Sequence, residues 1–204
     1  SEGYLEKDPF IMYSAKVVKK HVVFLTKEEL LQLENHQFNT ERIQSIKELF
    51  VFCCYTGLAF KEMSLLKKSD IITGFDNNLW LVVNRSKTDR DYRVPLLPRA
   101  QKILQSYKND NSELLFPKIS NQKFNEYLKE IAGVLWLSKN LTHHMARKTF
   151  ASTVLLYNDV PMEVVSELLG HSKLSTTQEH YAKVVQNKVS QHIAELGKKL
   201  SKEK

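Results

Sequence analysis

A histidine and an arginine in the C-terminal half of the chain have the spacing of a phosphate-binding pair. His144 and Arg147 are three residues apart on a predicted helix, so their side chains project from one face near its N-terminus. The helix dipole and the free N–H groups of the first turn also favour an anion there. The pair predicts a phosphate clamp, although a helix that simply presents basic residues to solvent is an alternative that these two residues leave open.

Cleavage of a phosphodiester without a metal or a nucleotide needs more than a clamp. It needs a nucleophile, cations that hold the non-bridging oxygens as charge develops, and an acid that protonates the departing sugar oxygen. The chain contains side chains suited to each of these tasks. The surrounding sequence therefore has to decide whether His144 and Arg147 take part in such a reaction.

The elements that must position these side chains are mainly helical. Thr26 and Glu29 have the spacing of a capping box, which predicts a helix to about His36. Apolar residues at helical spacing follow Thr40, and Gly57 is a natural stop for the helix that they form. Further helices are predicted at about 60–68, 98–107, 124–131, 142–157 and 161–170.

Near the C-terminus, Ser175 and Gln178 repeat the capping-box spacing and predict a short helix that ends near Tyr181. Earlier in the chain, residues 79–83 and 92–96 have the composition of β-strands and are joined by the polar turn SKTDRD. The expected fold class is therefore mainly α with a small antiparallel β-sheet.

The charge of the chain favours a polyanionic partner. Its 30 Lys and Arg against 23 Asp and Glu give a net charge of +7, which suits nucleic acid or an anionic membrane surface. The longest apolar run is too short to cross a bilayer, and the first residues lack the pattern of a secretion signal. The adjacent Cys53 and Cys54 are interpreted as core residues of a cytoplasmic protein.

Four segments resemble, in order and spacing, the signature segments of the tyrosine recombinase, or phage-type integrase, family. They are YTGLAFKEMSLLKKSDI at 55–71, SKTDRDYRVPL at 86–96, LTHHMARKTFAS at 141–152 and LLGHSKLSTTQEHYAKV at 168–184. The resemblance implies the fold of the family's catalytic domain over residues 26–182. It also implies that residues 1–25 are a linker from a DNA-binding domain further upstream.

The resemblance gives a role to each residue that matches a family motif. Tyr181 would be the nucleophile that attacks DNA phosphate, and His144 and Arg147 would hold that phosphate. Lys87 would protonate the departing 5′ oxygen, and His171 would donate a hydrogen bond to phosphate. Further DNA contacts are expected from the basic residues around these positions: Arg85, Arg90, Arg93, His143, Lys148, Lys173 and His180.

Ala59 is the main departure from the family pattern, because most members have an arginine at that position. One of the two guanidinium groups expected on the phosphate is therefore absent. Lys61 and Lys47 are the candidates to replace it, and some integrases of conjugative transposons also lack this arginine.

Two smaller departures lie near the clamp and the nucleophile. Lys148 stands where a second histidine often follows the clamp arginine, so a cation is kept. Ten positions separate His171 from Tyr181, one more than expected. Because one extra helical residue rotates a side chain by about 100°, a loop is expected to absorb the offset, and the tyrosine segment is not expected to continue rigidly into its neighbours.

The function implied by the resemblance is site-specific recombination through a 3′-phosphotyrosine bond, for integration or excision of a mobile element. Double-stranded DNA would be the substrate, a tetramer on DNA the active assembly, and accessory DNA-bending proteins further partners, with no cofactor and no metal. Residues 183–204 would form a helical tail that docks on a neighbouring protomer. Its apolar stripe comprises Val185, Val189, Ile193, Leu196 and Leu200.

Three other functions are weighed against this one. A DNA-binding protein that keeps the scaffold but no longer cuts is suggested by Ala59. A type IB topoisomerase shares the chemistry without exchanging partners, but the Leu-Gly-His and Thr-Thr-Gln segments look more like integrases. A metal hydrolase on His143, His144 and His171 is disfavoured, because no carboxylate or cysteine completes a ligand set at a familiar spacing.

Overall fold

The first two helices follow their sequence signals closely. The computed structural model describes residues 22–85, 90–107 and 112–201. Helix α1 spans Lys27–Asn35, and the predicted capping box of Thr26 and Glu29 is present with both of its hydrogen bonds. Helix α2 spans Glu41–Thr56 and ends at Gly57, whose φ of 70° is left-handed. A Cβ at Gly57 would lie 2.4 Å from the Phe150 ring, so this position needs glycine for space as well as for conformation.

The remaining elements are short, except for two later helices. They are α3 (Phe60–Ser64), β1 (Ile71–Thr73), β2 (Leu79–Arg85), β3 (Arg90–Pro95), α4 (Pro98–Ser106), α5 (Asn121–Val134), α6 (His143–Thr149), α7 (Met162–Leu168) and α8 (Leu174–Leu200). A π-helical segment, Phe150–Leu155, and a 3₁₀ turn, Leu156–Asn158, continue α6. The strands form an antiparallel sheet in the order β1, β2, β3. The predicted fold class is confirmed.

Helix α2 lies at the centre of the core and contacts α1, α4, α5 and α6. Phe50 and Phe52 are fully buried, and the Phe52 ring packs edge-on against Phe116 with the centroids 4.9 Å apart. Cys53 and Cys54 are also fully buried, and burial raises the pKa of both thiols. Both cysteines are therefore core residues, as predicted.

The segment before α1 is packed on the folded body. Leu25 is fully buried, its N–H donates to the Thr149 hydroxyl at 3.0 Å, and its carbonyl accepts from the Thr153 hydroxyl. Lys139 donates to the Phe24 carbonyl at 2.9 Å. Residues 22–25 therefore belong to the body rather than to a separate linker, while residues 1–21 lie outside the described residues.

Two local predictions are wrong, and one short strand was not predicted. The helix expected over 60–68 ends at Ser64, and strand β1 was not expected. Helix α8 begins at Leu174, before the predicted cap at Ser175, and continues without a break to Leu200. No glycine or proline interrupts residues 174–196, so the short helix and the separate tail expected around Tyr181 are one element. Within the described residues, no helix is both long and apolar enough to pass through a membrane.

Candidate active site

Arg147 lies inside the protein and is held by two other helices. Its side chain is 7% exposed on α6. Nη1 donates to the Gly57 carbonyl at 2.7 Å, and Nη2 donates to the Leu169 carbonyl. Gly57 and Leu169 are the C-terminal caps of α2 and α7, where helix carbonyls carry partial negative charge. The fold therefore orients this guanidinium without help from a ligand.

Tyr181 lies seven residues after α8 begins, within range of the Arg147 charge. The phenol is 4% exposed. Burial raises the pKa of Tyr181 to about 12, and the Arg147 charge opposes that rise by favouring the phenolate. A cation in this place would lower the cost of the charge that develops when the phenol oxygen attacks a phosphate.

His144 lies on the outer side of α6, near Lys148 and His180. Partial burial, then the charges of Lys148, Arg147 and His180, lower the pKa of His144. The imidazole is therefore neutral at pH 7 and able either to donate or to accept a proton. His180 directly precedes Tyr181, and its ring is fixed by a 2.7 Å contact between Nδ1 and the Thr176 carbonyl. The structure thus gathers His144, Lys148 and His180 around the Arg147 and Tyr181 pair.

His171 lies in the loop between α7 and α8, next to the residues that hold Arg147. Its Nδ1 is 2.7 Å from the hydroxyl of Thr177, which is fully buried on α8. This contact fixes the ring direction. The loop over residues 171–173 is the one that the sequence predicts between α7 and the nucleophile, although Tyr181 itself sits in a continuous helix.

Position 59 lines two cavities. One, of about 270 Å³, is bordered by Ala59, Phe60, His143, His144 and Arg147 together with Asn121, Asn125 and Thr142. The other, of about 610 Å³, is bordered by Ala59, the exposed Lys61 and residues of the β2–β3 pair. The smaller cavity therefore lies between Ala59 and the His144–Arg147 pair, and the larger one lies between Ala59 and Lys61.

The phage integrase family matches residues 23–188 of this sequence. The chain belongs to this family. The tyrosine recombinase XerC of Thermodesulfovibrio yellowstonii is 26% identical over 200 residues, and XerA of Thermococcus onnurineus is 31% identical over 187 residues. Each alignment covers 87% of this chain and 64% of the relative, so the chain spans slightly less than two thirds of the length of these relatives.

Solved structures of phage integrase family members share the fold. The crystal structure of XerA recombinase has a TM-score of 0.68 at 23% identity, covering 85% of this chain and 66% of that one. The catalytic domain of bacteriophage HP1 integrase has a TM-score of 0.60 at 19% identity, covering 79% of this chain and 88% of that one. At these identities the likeness shows the fold, which is that of a tyrosine recombinase catalytic domain.

Lys47 is not near the family's clamp. It is 4% exposed, burial lowers its pKa, and its amine donates to the His36 carbonyl at 3.1 Å, next to the end of α1. Ten residues separate it from Gly57 along α2, which is about 15 Å. The proposal that Lys47 replaces the missing arginine is therefore wrong, and Lys61 remains as the candidate.

His143 is a core residue and not the exposed DNA contact that the sequence suggests. Its ring packs against Phe60 and Phe124, with centroids 5.4 and 5.6 Å away. Burial, then the charges of His144 and Arg147, lower the pKa of His143 to about 4. Its Nε2 is buried with no hydrogen-bond partner among the described residues. Three or more metal-binding side chains come together nowhere in the described part of the chain.

The other basic residues expected to contact DNA lie on strands β2 and β3, in the turn between them and at the start of α8. Arg85 ends β2 and pairs with Arg90, which begins β3. Lys87, in the turn between them, lies outside the described residues. Arg93 is exposed on β3, and Lys173 is exposed at the start of α8.

The sequence reasoning missed Glu62 and Tyr92. The Glu62 carboxylate accepts from the Ala59 N–H at 2.6 Å and from the Tyr92 hydroxyl at 2.9 Å. Glu62 is the third residue of α3, a position where a glutamate commonly caps its helix, and this signal was available in the sequence. Successive side chains of a strand point to opposite faces, so with the charged Arg93 facing solvent the neighbouring Tyr92 could be predicted to face the core.

Proposed function

We propose that this chain is the catalytic domain of a site-specific DNA recombinase that cleaves and rejoins strands through a 3′-phosphotyrosine bond. The observation that carries the proposal is the burial of Tyr181 within range of the Arg147 charge, in a chain with the fold of the phage integrase family. A tyrosine kept for packing would gain little from a neighbouring guanidinium, whereas a tyrosine that attacks phosphate needs one.

In the cleavage step, the Tyr181 oxygen loses its proton to water as it attacks the scissile phosphorus, and the bond from phosphorus to the 5′ oxygen breaks. Arg147 and His144 would donate hydrogen bonds to the non-bridging oxygens as their charge grows. Lys87 would give a proton to the departing 5′ oxygen, since an ammonium can be deprotonated in a way that a guanidinium cannot. His171, held by Thr177, would add a donor to the same phosphate.

In the rejoining step, the 5′ hydroxyl of a second DNA strand attacks the phosphorus and gives its proton to the Lys87 amine. The bond from phosphorus to Tyr181 breaks, a new phosphodiester forms, and the phenol takes a proton back from water. The phosphotyrosine keeps the energy of the broken phosphodiester, so neither ATP nor a metal ion is needed. Two such pairs of steps would form and then resolve a Holliday junction.

Double-stranded DNA is the proposed substrate, because the chain carries a net charge of +7 and structural neighbours were solved on DNA. These include XerH bound to a difH substrate and Tn1549 transposon integrase bound to a circular intermediate DNA. Integration or excision of a mobile element is the proposed role. A tetramer on DNA, accessory DNA-bending proteins and action at the nucleoid in the cytoplasm complete the proposal.

The test is covalent trapping on nicked DNA. A binding site is first selected from a pool of random duplexes, and a nick is then placed so that the cleaved fragment diffuses away. We expect a protein–DNA adduct that survives denaturing electrophoresis, and no adduct with Tyr181→Phe at equal DNA binding. Tyr157→Phe is the matched control, because Tyr157 packs against Phe24 away from Arg147.

The same material separates the alternative functions. Binding without any adduct would indicate a DNA-binding protein that has lost cleavage, which is the function that Ala59 favours. Relaxation of a supercoiled plasmid without exchange of strands would indicate a topoisomerase. An adduct that persists in Tyr181→Phe would assign the nucleophile to another residue.

A further inference from the structure

Tyr92 connects the sheet to two parts of the active site. Its side chain on β3 is 5% exposed, and its hydroxyl donates to Glu62 on α3 at 2.9 Å. A Cβ at Gly170 would lie 3.0 Å from the Tyr92 ring, so the ring packs directly on the backbone turn before His171. Gly170 also has a φ of 58°, which suits glycine there for conformation as well.

Arg147 lies beside the same phenol. Burial and the Glu62 carboxylate raise the pKa of Tyr92, and the Arg147 guanidinium acts in the opposite direction, which places its charge near the phenol oxygen. Arg147 also donates to the carbonyl of Leu169, the residue before Gly170. Tyr92 and Arg147 therefore hold the same turn, one through its ring and the other through a hydrogen bond.

We infer that Tyr92 is a positioning residue for strand cleavage, and that its phenol fixes Arg147 and the Gly170–His171 turn against the strands that flank Lys87. Tyr92 is too buried to contact DNA, so it acts through these groups. When packing already holds Arg147 in its working orientation, less conformational entropy is lost on phosphate binding. A misplacement of such a side chain by about 1 Å is enough to slow a reaction strongly. This inference rests on the proposed function.

The chain offers a matched control in Tyr55. Its hydroxyl donates to Glu34 at 2.6 Å, and Arg99 is paired with the same carboxylate. Both tyrosines therefore sit in a cluster of one phenol, one carboxylate and one guanidinium. Tyr55, however, faces α1, away from the clamp. A change to Phe removes one phenol–carboxylate hydrogen bond at either position, and only Tyr92→Phe should affect cleavage.

The first measurement is the rate of adduct formation on saturating nicked DNA, with the Kd measured separately. We expect Tyr92→Phe to slow cleavage by about tenfold at an unchanged Kd, and Tyr55→Phe to stay within about twofold of wild type. In an Arg147→Lys background, Tyr92→Phe should cost less than about twofold, because its effect passes through Arg147. Full additivity of the two changes would overturn the inference.

The second measurement needs no DNA. The Nε–H signal of Arg147, followed by NMR in the free protein, should be sharp in wild type and in Tyr55→Phe, and broadened in Tyr92→Phe. An unchanged signal in Tyr92→Phe would overturn the positioning role even if cleavage falls. If wild type forms no adduct, the proposed function fails, while the NMR comparison still decides whether Tyr92 orients Arg147.

Discussion

Arg147 and the C-terminal half of α8 are stabilised in opposite ways. Arg147 is buried and bonded to the ends of two helices. The second half of α8 contacts the body through Lys188, which donates to the Leu156 carbonyl at 2.7 Å and pairs with Asp159, and through His192, whose Nε2 lies 3.3 Å from the same carboxylate. Its apolar stripe is 38–62% exposed. The Arg147 guanidinium is therefore fixed by the fold, while the helix that carries Tyr181 has an apolar surface without a partner in the described residues.

The two regions should also differ in energy. Burying a Val, Leu or Ile side chain fully contributes about 1.5–3 kcal/mol, and the five stripe residues leave roughly half of that contribution unrealised in the single chain. Arg147 instead satisfies two buried carbonyls, which would otherwise destabilise the fold. Substitutions in the two regions are therefore expected to give clearly different results, beginning with the largest.

Arg147→Ala should have the largest effect on both activity and stability. Loss of the guanidinium should raise the barrier to cleavage by about 3–5 kcal/mol, which is a rate loss of roughly 10²- to 10⁴-fold. Unfolding should become easier by about 2–4 kcal/mol, because the Gly57 and Leu169 carbonyls lose their donors. Adduct kinetics and denaturant unfolding measure the two effects. Wild-type cleavage in this variant would remove Arg147 from the site.

His143→Phe should change how the stability of the buried region depends on pH. The unfolded chain takes up a proton on this imidazole near pH 6.5, whereas the folded protein resists protonation until about pH 4. The contribution of neutral His143 is therefore complete above pH 6.5 and is lost as the pH falls towards 4, by about 3 kcal/mol in total.

Urea unfolding at several pH values tests this expectation. Phe at position 143 keeps the packing with Phe60 and Phe124 and removes the titrating group, so the decline between pH 6.5 and 4 should become shallower. His180→Gln is the control, because His180 is exposed. The same decline in wild type and His143→Phe would mean that other groups cause it.

Ile193→Ser should have the smallest effect on the isolated chain. The side chain is 62% exposed, so the free energy of unfolding should change by less than about 0.5 kcal/mol. If the stripe docks on a neighbouring protomer, assembly on DNA should weaken, while Glu195→Ser on the same helix should assemble normally. Sedimentation of the DNA complexes measures this. A loss of stability above about 1.5 kcal/mol would instead place the stripe against its own body.

Local signals predicted most of the fold. Gly57 and the Thr26–Glu29 capping box act through residues close in sequence, and both are present. The proposed site residues His144, Arg147 and Tyr181 were predicted from the resemblance to the family, and the Arg147 charge reaches both of the others. What they contact was not predictable, since Gly57 is 90 residues from Arg147 in the chain.

The failures have the same physical origin. Lys47 has the charge to replace an arginine, but its position in the middle of α2 directs it to the carbonyls after α1. His143 is as polar as its neighbour His144, yet its ring points inward and packs against Phe60 and Phe124. In both cases burial, which depends on tertiary packing, decided the role that the residue type left open.

Because α8 is one continuous helix, a displacement of its C-terminal end can be transmitted to Tyr181. Tyr181 lies about 10 Å from Lys188 along the helix axis, and Leu200 lies about 18 Å beyond Lys188 on the other side. If the Lys188 contact with Leu156 and Asp159 serves as a fulcrum, a sideways displacement of about 3 Å at Leu200 moves the Tyr181 backbone by somewhat less than about 2 Å in the opposite direction. Because the distances of good hydrogen bonds span only about 0.5 Å, such a displacement is large enough to make or break a contact of the Tyr181 hydroxyl.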